Sequence, residues 1–459
     1  MLCNKPVGDH CTIVGHVKGD QAKPIVMVPA RLVQAWCYVS YATESAACLS
    51  DVPENAVLGA QANDGEYPGA YHKVMHLFAP ASPSGIDRMI LLVRTFNALI
   101  SVAFFGALAW LVPIAMRRQM VYVLVANSVP LLIYVLTSVN PSAWGITGVV
   151  SVWFALTGLF ATAHDAVYPR WKRRALACLA VLAAAIAAAA RADCATYCVV
   201  AVLAVGAFHL PELKPRHWRQ HRLTWLAMIV VTIIGAYGSL SASQVDMAVG
   251  VGRQTGSPAL LVYNAERLPE LLMGYWTNYI GAFDVPLLPI TTVLTTAVAL
   301  GLLFFGLHCL SWQKALAAGG VLFVLVASPL LSMQMRGNEI GEFVQPRYLA
   351  PVALMLVAVV ISRCQGHGAP VMTLPQTAMA YSCLVVAHAF SLQSLIKRYA
   401  LGWDAFSQNL NHHVLWWRPW LPAPMTVWFL GSLGFAAMAL LLFVVRSKYF
   451  TEKELLRAT

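Results

Sequence analysis

Arg347 opens an apolar run directly after Pro346, and Arg336, Glu339, Glu342 and Gln345 precede it in one short polar loop. A guanidinium at the rim of a hydrophobic segment presents paired donors suited to a phosphate or pyrophosphate. An internal Glu–Arg pair is the competing reading. Arg94 lies about one and a half turns inside another apolar run, where it either snorkels to the rim or holds a lipid phosphate. The turn Thr137-Ser-Val-Asn140-Pro-Ser-Ala-Trp144 offers Asn140 as a cap for the next helix, with Pro141 in its first turn, and as an amide for substrate. In Glu66-Tyr67-Pro-Gly-Ala-Tyr71-His72, Glu66 or His72 has the chemistry of a base. His308 and His388 have no second metal ligand one turn away and read as packed histidines. The sequence holds no HExxH, GxSxG or P-loop, and no GxGxxG in a strand–helix setting.

The elements that position these residues are membrane spans. Hydrophobic residues make up 59% of the chain and charged residues 11%, against roughly 25% charged in soluble domains. About eleven stretches reach the roughly 20 apolar residues of a span. They fall at 89–113, 120–139, 143–163, 175–190, 195–209, 223–240, 285–309, 315–334, 348–362, 376–396 and 425–445. The expected fold is an all-α polytopic membrane protein, with a transmembrane domain over 89–445 and a tail over 446–459. Leu179–Ala190 is rich in alanine, which favours close helix packing.

The formal net charge of +11 is unevenly spread. Basic residues crowd into alternate loops: Arg117 and Arg118, then Arg170, Lys172, Arg173 and Arg174, then Lys214, Arg216, Arg219 and Arg222. Lys314, Arg363 and the tail with Arg446, Lys448, Lys453 and Arg457 complete that set. The positive-inside rule makes this side and the C-terminus cytoplasmic, and the distribution argues against nucleic acid as a partner. Residues 1–88 and the loops 241–284, 335–347 and 397–424 then face outward. Trp403, Trp416, Trp417 and Trp420 in the last loop read as interface anchors, with stacking on sugar as a second use. The start MLCNKPVGDHC is not a signal peptide, so an outward head leads to the expectation of one more helix upstream and twelve spans in all, with translocation of the head behind the following helix as the alternative. Cys37 and Cys48 suit a disulfide in an oxidising compartment, and Cys3 and Cys11 are a second candidate pair. The other cysteines read as buried apolar fillers.

Three elements in order resemble the bacterial membrane proteins of domain-of-unknown-function family 2142. Tyr67-Pro68-Gly69-Ala70-Tyr71 is similar to a Tyr-Pro-Pro-x-Tyr-Tyr element, Ser138-Val139-Asn140-Pro141 to a Ser-Val-Asn-Pro element, and Gln345-Pro346-Arg347-Tyr348-Leu349-Ala350-Pro351 to a Gln-Gly-Arg-Tyr-x-x-Pro element. That family in turn resembles GT-C glycosyltransferases, which take sugar from a polyprenyl-phosphate donor at the outer membrane face. The resemblance implies a multi-pass protein of the bacterial inner membrane and a lipid-linked sugar donor. It also implies a cell-envelope glycan as acceptor. It implies an acidic residue early in the first outer loop, where this chain has Asp9 and His10.

The implied mechanism has a carboxylate, Asp9 or Glu66, activating an acceptor hydroxyl while Arg347 and Arg94 hold the departing phosphate. Tyr67, Tyr71, Asn140, Gln345, Tyr348 and His10 would shape the sugar or acceptor pocket. No cofactor is assigned outright, and such a centre leaves room for a divalent cation. Two other functions remain open: a transporter or flippase of lipid-linked glycan, and a non-catalytic protein of envelope assembly.

Overall fold

The computed structural model describes residues 13–17, 20–39, 41–61, 68–80, 82–126, 128–213, 218–240, 256–277, 279–281, 284–342, 344–362 and 372–449. Asp9, His10, Glu66, Tyr67, Cys3 and Cys11 lie outside them. The early polar segment builds a small head. Strands β1 (Ile13–Val17), β2 (Asp20–Pro29) and β3 (Val57–Gln61) form an antiparallel sheet in that order, with Val26 opposite Ala60 and Val28 opposite Leu58. Helices α1 (Ala30–Gln34) and α2 (Trp36–Val39) and a 3-10 turn at Ala46–Leu49 lie between β2 and β3. A disulfide joins Cys37 to Cys48, with their Cα atoms 6.3 Å apart. Cys309 is also disulfide-bonded, which corrects the reading of it as an apolar filler.

The rest of the described residues are mainly helical. In order come α3 (Gly69–His76), α4 (Ile86–Leu111), α5 (Ile114–Ala126), α6 (Pro130–Leu136), α7 (Ser142–Ala161), α8 (Arg170–Ala190), α9 (Ala192–Phe208) and α10 (Trp218–Leu240). Then follow α11 (Pro258–Thr277), a two-residue hairpin of β4 (Tyr279–Ile280) and β5 (Val285–Pro286), α12 (Pro289–Gly306), α13 (Trp312–Arg336), α14 (Pro346–Ile361), α15 (Leu374–Ala400) and α16 (Pro424–Tyr449). Eight of these (α4, α7, α8, α10, α12, α13, α15 and α16) are long and apolar enough to cross a membrane, while α9 and α14 are shorter apolar helices. The chain is a polytopic α-helical membrane protein. Within the expected outward segment 241–284, where Leu268–Ile280 reads as an interfacial or re-entrant helix, Pro258–Thr277 forms a helix with Pro269 inside it.

The expected span 120–139 is not one helix. Val129 is extended (φ −69°, ψ 156°) and Pro130 starts α6. Proline cannot donate a backbone hydrogen bond and disfavours helical geometry in the residue before it. In an apolar surrounding the freed carbonyls need partners. His388 of α15 supplies one, its Nε2 2.5 Å from Ser128 O. At the other end of α6, where the helix stops, Arg94 of α4 donates its Nε to Thr137 O at 3.0 Å.

Helix α7 is the centre of the bundle: Ser142 through Phe160 are all buried. A helix apolar on every side belongs inside others. Its nearest neighbour is the alanine-rich α8, whose Ala180, Ala183, Ala184 and Ala187 are fully buried. Gly148 permits the approach, because a Cβ there would meet Ala183 O and lie 2.8 Å from Ala187 Cβ. Overpacking of this kind costs about 1–3 kcal/mol. At the periphery, α16 exposes Phe429, Leu430, Leu433, Leu440 and Leu441, as a lipid-facing helix does.

Several basic residues of the loops bind the chain itself. Arg117 donates to Val112 O and Trp110 O, both at 3.2 Å, and Lys172 Nζ lies 3.4 Å from Trp110 O. Tyr168 donates to Leu111 O, and Arg173 reaches Gln220 O at 3.3 Å. The last carbonyls of α4 are thus capped by cations, which the helix dipole favours. This end of the bundle is called the basic end below, and the opposite one the head end.

Candidate functional site

At the head end, five segments bring charged and aromatic groups together. Helix α4 contributes Arg94, which reaches the end of α6 at Thr137 O. Tyr134 of α6, just before the carbonyl that Arg94 holds, feels the charges of Arg94, Arg347 and Asp284. The charges of the two arginines expected at a phosphate therefore both act on one tyrosine. Pro346 occupies the first position of α14, where its missing N–H costs nothing, and this aims Arg347 and Tyr348 from the first turn. Gln345 precedes them, its buried Oε1 having no hydrogen-bond partner among the described residues.

The Tyr348 ring lies beneath a second guanidinium. Arg191 stands 3.9 Å from its centroid, and Arg347 stands 5.4 Å away. Both guanidinium charges act on the Tyr348 phenol. Arg191 sits in the extended link between α8 and α9, with φ −157° and ψ 140°. Its Nε and Nη2 fork onto Asp193 at 2.9 and 2.7 Å, and Asp193 also accepts from Cys194 N at 2.8 Å in the first turn of α9. Arg191 and Asp193 were not among the sequence candidates. Their only signal was an Arg-x-Asp pair between two apolar runs.

Tyr71 and Asn140 have structural duties. Asn140 Oδ1 accepts from Ser142 N at 2.9 Å and so caps α7. Tyr71 is fully buried, and its hydroxyl accepts from Asn97 Nδ2 at 3.1 Å. Asn97 also donates to Ser138 O at 2.8 Å and accepts from Trp144 Nε1 at 3.0 Å. One buried amide thus ties α3, α4, the 138–141 turn and α7 together. Burial pushes the Tyr71 phenol up to about 12, against the Asn97 hydrogen bond that lowers it. Burial also pushes His72 down to about 4. Asn97, one turn after Arg94, is a polar residue in a span and went unremarked in the sequence.

Between the head and the bundle lies a cleft lined by Arg31, Tyr38, Ile86, Asp87, Ile90, Trp416 and Arg418, among others. Asp87 Oδ2 meets Arg418 at 2.8 Å and Arg31 at 3.5 Å. Tyr38 leads from this cleft to the bundle, because Arg398 donates to its carbonyl and its ring meets that of Tyr399 edge to face, with centroids 5.5 Å apart. Burial first, then the Asp284 charge, raises its phenol. Arg398, fully buried near the end of α15, fastens the head. It donates to the carbonyls of Tyr38 and Glu44, to Tyr41 O at 3.1 Å and to Asp284 O at 3.2 Å, and pairs with Asp284 Oδ2 at 3.5 Å. Arg398 was also missed. Its signal was the pair Lys397-Arg398 at the end of a span, on the side otherwise poor in such clusters.

A family model described as "Predicted membrane protein (DUF2142)" matches residues 19–356. The chain belongs to this family. The DUF2142 match takes in the sheet from β2 onward, Arg94, Asn97, Asn140, Arg191, Arg347 and Tyr348, and ends before Arg398. No curated protein and no solved structure matches the chain.

Proposed function

We propose that this DUF2142 protein is a membrane glycosyltransferase that moves a sugar from a polyprenyl-phosphate donor to an envelope glycan at the outer face of the bacterial inner membrane. The observation that carries the reading is the continuity from cleft to bundle through Tyr38. A lipid-linked sugar phosphate needs an apolar path for its chain, cations for its phosphate and flat faces for its sugar. Ile86 and Ile90 at the start of α4 suit the first. Arg94 and Arg347 suit the second, since charge that develops on a departing phosphate is stabilised by fixed guanidinium groups. Trp416 and Tyr38 suit the third. The buried Gln345 Oε1 is an acceptor waiting for a donor such as a sugar hydroxyl. Asp9 and Glu66 remain the proposed bases, and Asp87 adds a carboxylate at the bundle rim. The crowding of basic residues at the other end supports a cytoplasmic basic end and an outward head.

The test is donor cleavage by purified full-length protein supplied with polyprenyl-phosphoryl sugars. Arg347→Ala should lower turnover roughly 100-fold, the scale of losing one charge-stabilising donor. Movement of lipid-linked glycan across the bilayer without cleavage would make the protein a flippase instead. Neither cleavage nor movement, with envelope glycans unchanged by Arg347→Ala, would leave the assembly role.

A further inference from the structure

At the basic end, three segments that are distant in sequence bring together His164, Glu212 and His221. His164 belongs to the link between α7 and α8, Glu212 to a 3-10 turn after α9 (Leu210–Leu213), and His221 to the first turns of α10. Their ligating atoms all lie within 4.8 Å of one another. His221 Nε2 is 3.8 Å from Glu212 Oε2, and the rings of His164 and His221 stand edge to face with centroids 5.1 Å apart. Tetrahedral coordination with bonds of about 2.1 Å places ligand atoms about 3.4 Å apart. Small side-chain rotations therefore close the set around one ion.

The surroundings have the form of a metal site. His209 Nδ1 holds the other carboxylate oxygen, Glu212 Oε1, at 3.0 Å, which fixes the carboxylate as an outer partner does. Phe160 forms an apolar floor, stacked on His209 at 4.3 Å between centroids and tilted against His221 at 5.1 Å. His221 is fully buried, while His164 is exposed and gives a way in.

We infer that His164, Glu212 and His221 bind a single divalent transition ion of the zinc class, which clips the α7–α8 link, the 3-10 turn and α10 together at the basic end. Two imidazoles and one carboxylate suit zinc and its neighbours better than magnesium or calcium, which prefer all-oxygen sets. Three protein ligands leave a fourth position open toward the exposed side of His164. A ligand from each of three segments makes the ion a fastener of the links that α7, α8, α9 and α10 share. The inference does not depend on the reaction proposed for the head end.

The test uses the full-length protein in nanodiscs, stripped with a chelator and titrated with Co2+ alone. One Co2+ per chain should bind with the visible absorption of a tetrahedral site, and Zn2+ should displace it. His164→Ala and Glu212→Gln should each weaken Co2+ by more than about 100-fold, beyond the roughly 10- to 100-fold range of outer partners in which His209→Phe should fall. Because His164 is exposed, its alanine variant decides the matter even if His221→Ala fails to fold. Absence of saturable Co2+ binding, or an affinity unchanged by both His164→Ala and Glu212→Gln, would overturn the inference.

Discussion

The guanidinium of Arg191 lies over the ring of Tyr348, 3.9 Å from its centroid, while its nitrogens grip Asp193 at 2.9 and 2.7 Å. The link between α8 and α9 is thereby locked to the start of α14, the helix that also carries Arg347. The position of a proposed phosphate ligand thus depends on an ion pair from another part of the chain.

The two halves of that lock should differ in strength. Asp193→Asn leaves Arg191, only 6% exposed, without its counter-charge. Breaking a buried pair costs about 3–5 kcal/mol. Tyr348→Leu removes a cation–π contact of about 0.5–2 kcal/mol and keeps the ion pair. Thermal unfolding in detergent should therefore rank Asp193→Asn as the more damaging change. The reverse order would show that the ring, and not the carboxylate, holds the guanidinium.

Asn97 should be among the costliest single polar residues of the bundle to remove. Asn97→Leu strands the Tyr71 hydroxyl, the Ser138 carbonyl and the Trp144 indole N–H. Each orphaned group costs roughly 1–3 kcal/mol in a buried site, although interhelical hydrogen bonds in membranes average nearer 0.6. Tyr71→Phe loses only one of the three contacts. Denaturant titrations should give Asn97→Leu a loss of about 2 kcal/mol or more and Tyr71→Phe about 1 kcal/mol.

Detachment of the head should follow from Arg398→Ala. That change frees three head carbonyls, those of Tyr38, Tyr41 and Glu44, and removes the Arg398 charge from Asp284. Limited proteolysis and hydrogen exchange should show faster attack within residues 38–44, with the bundle still protected. Arg398→Lys should restore little, because one ammonium cannot match the spread of a guanidinium fork. Unchanged protection in the alanine variant would mean that the disulfide and sheet seat the head unaided.

Acid should loosen α3. The folded His72 is held down to about 4 by burial, against an ordinary value near 6.5. The unfolded chain therefore binds more protons between those values, and stability falls as pH drops from about 6.5 toward about 4. A melting profile against pH should show this slope in the wild type and a flatter one in His72→Gln. Equal slopes would assign the acid sensitivity to other groups.

Much of the membrane architecture was legible because apolar length is a one-dimensional signal. The window over 120–139 failed for a local reason: it weighed hydropathy and ignored what Pro130 does to Val129. The alanine run correctly announced close packing, since small size is a property of the residue and needs no partner. Site residues were harder. Arg94 stood out as a charge inside a span, and Asn140 and Arg347 by their place at span edges. Asn97, Arg191 and Arg398 did not, because their importance rests on Tyr71, Tyr348 and Glu44, which lie on other segments. A hydrogen bond across the fold leaves no trace in the spacing of neighbours.

The seat of the head on Arg398 bears on how this protein can be divided. Similarity to the family stops at residue 356, within α14, whereas the head rests on a side chain of α15. A piece trimmed to the similarity limits would keep most of the sheet and the disulfide but lose the post to which they are moored. What resembles its relatives and what stands up as one body are different lengths of chain.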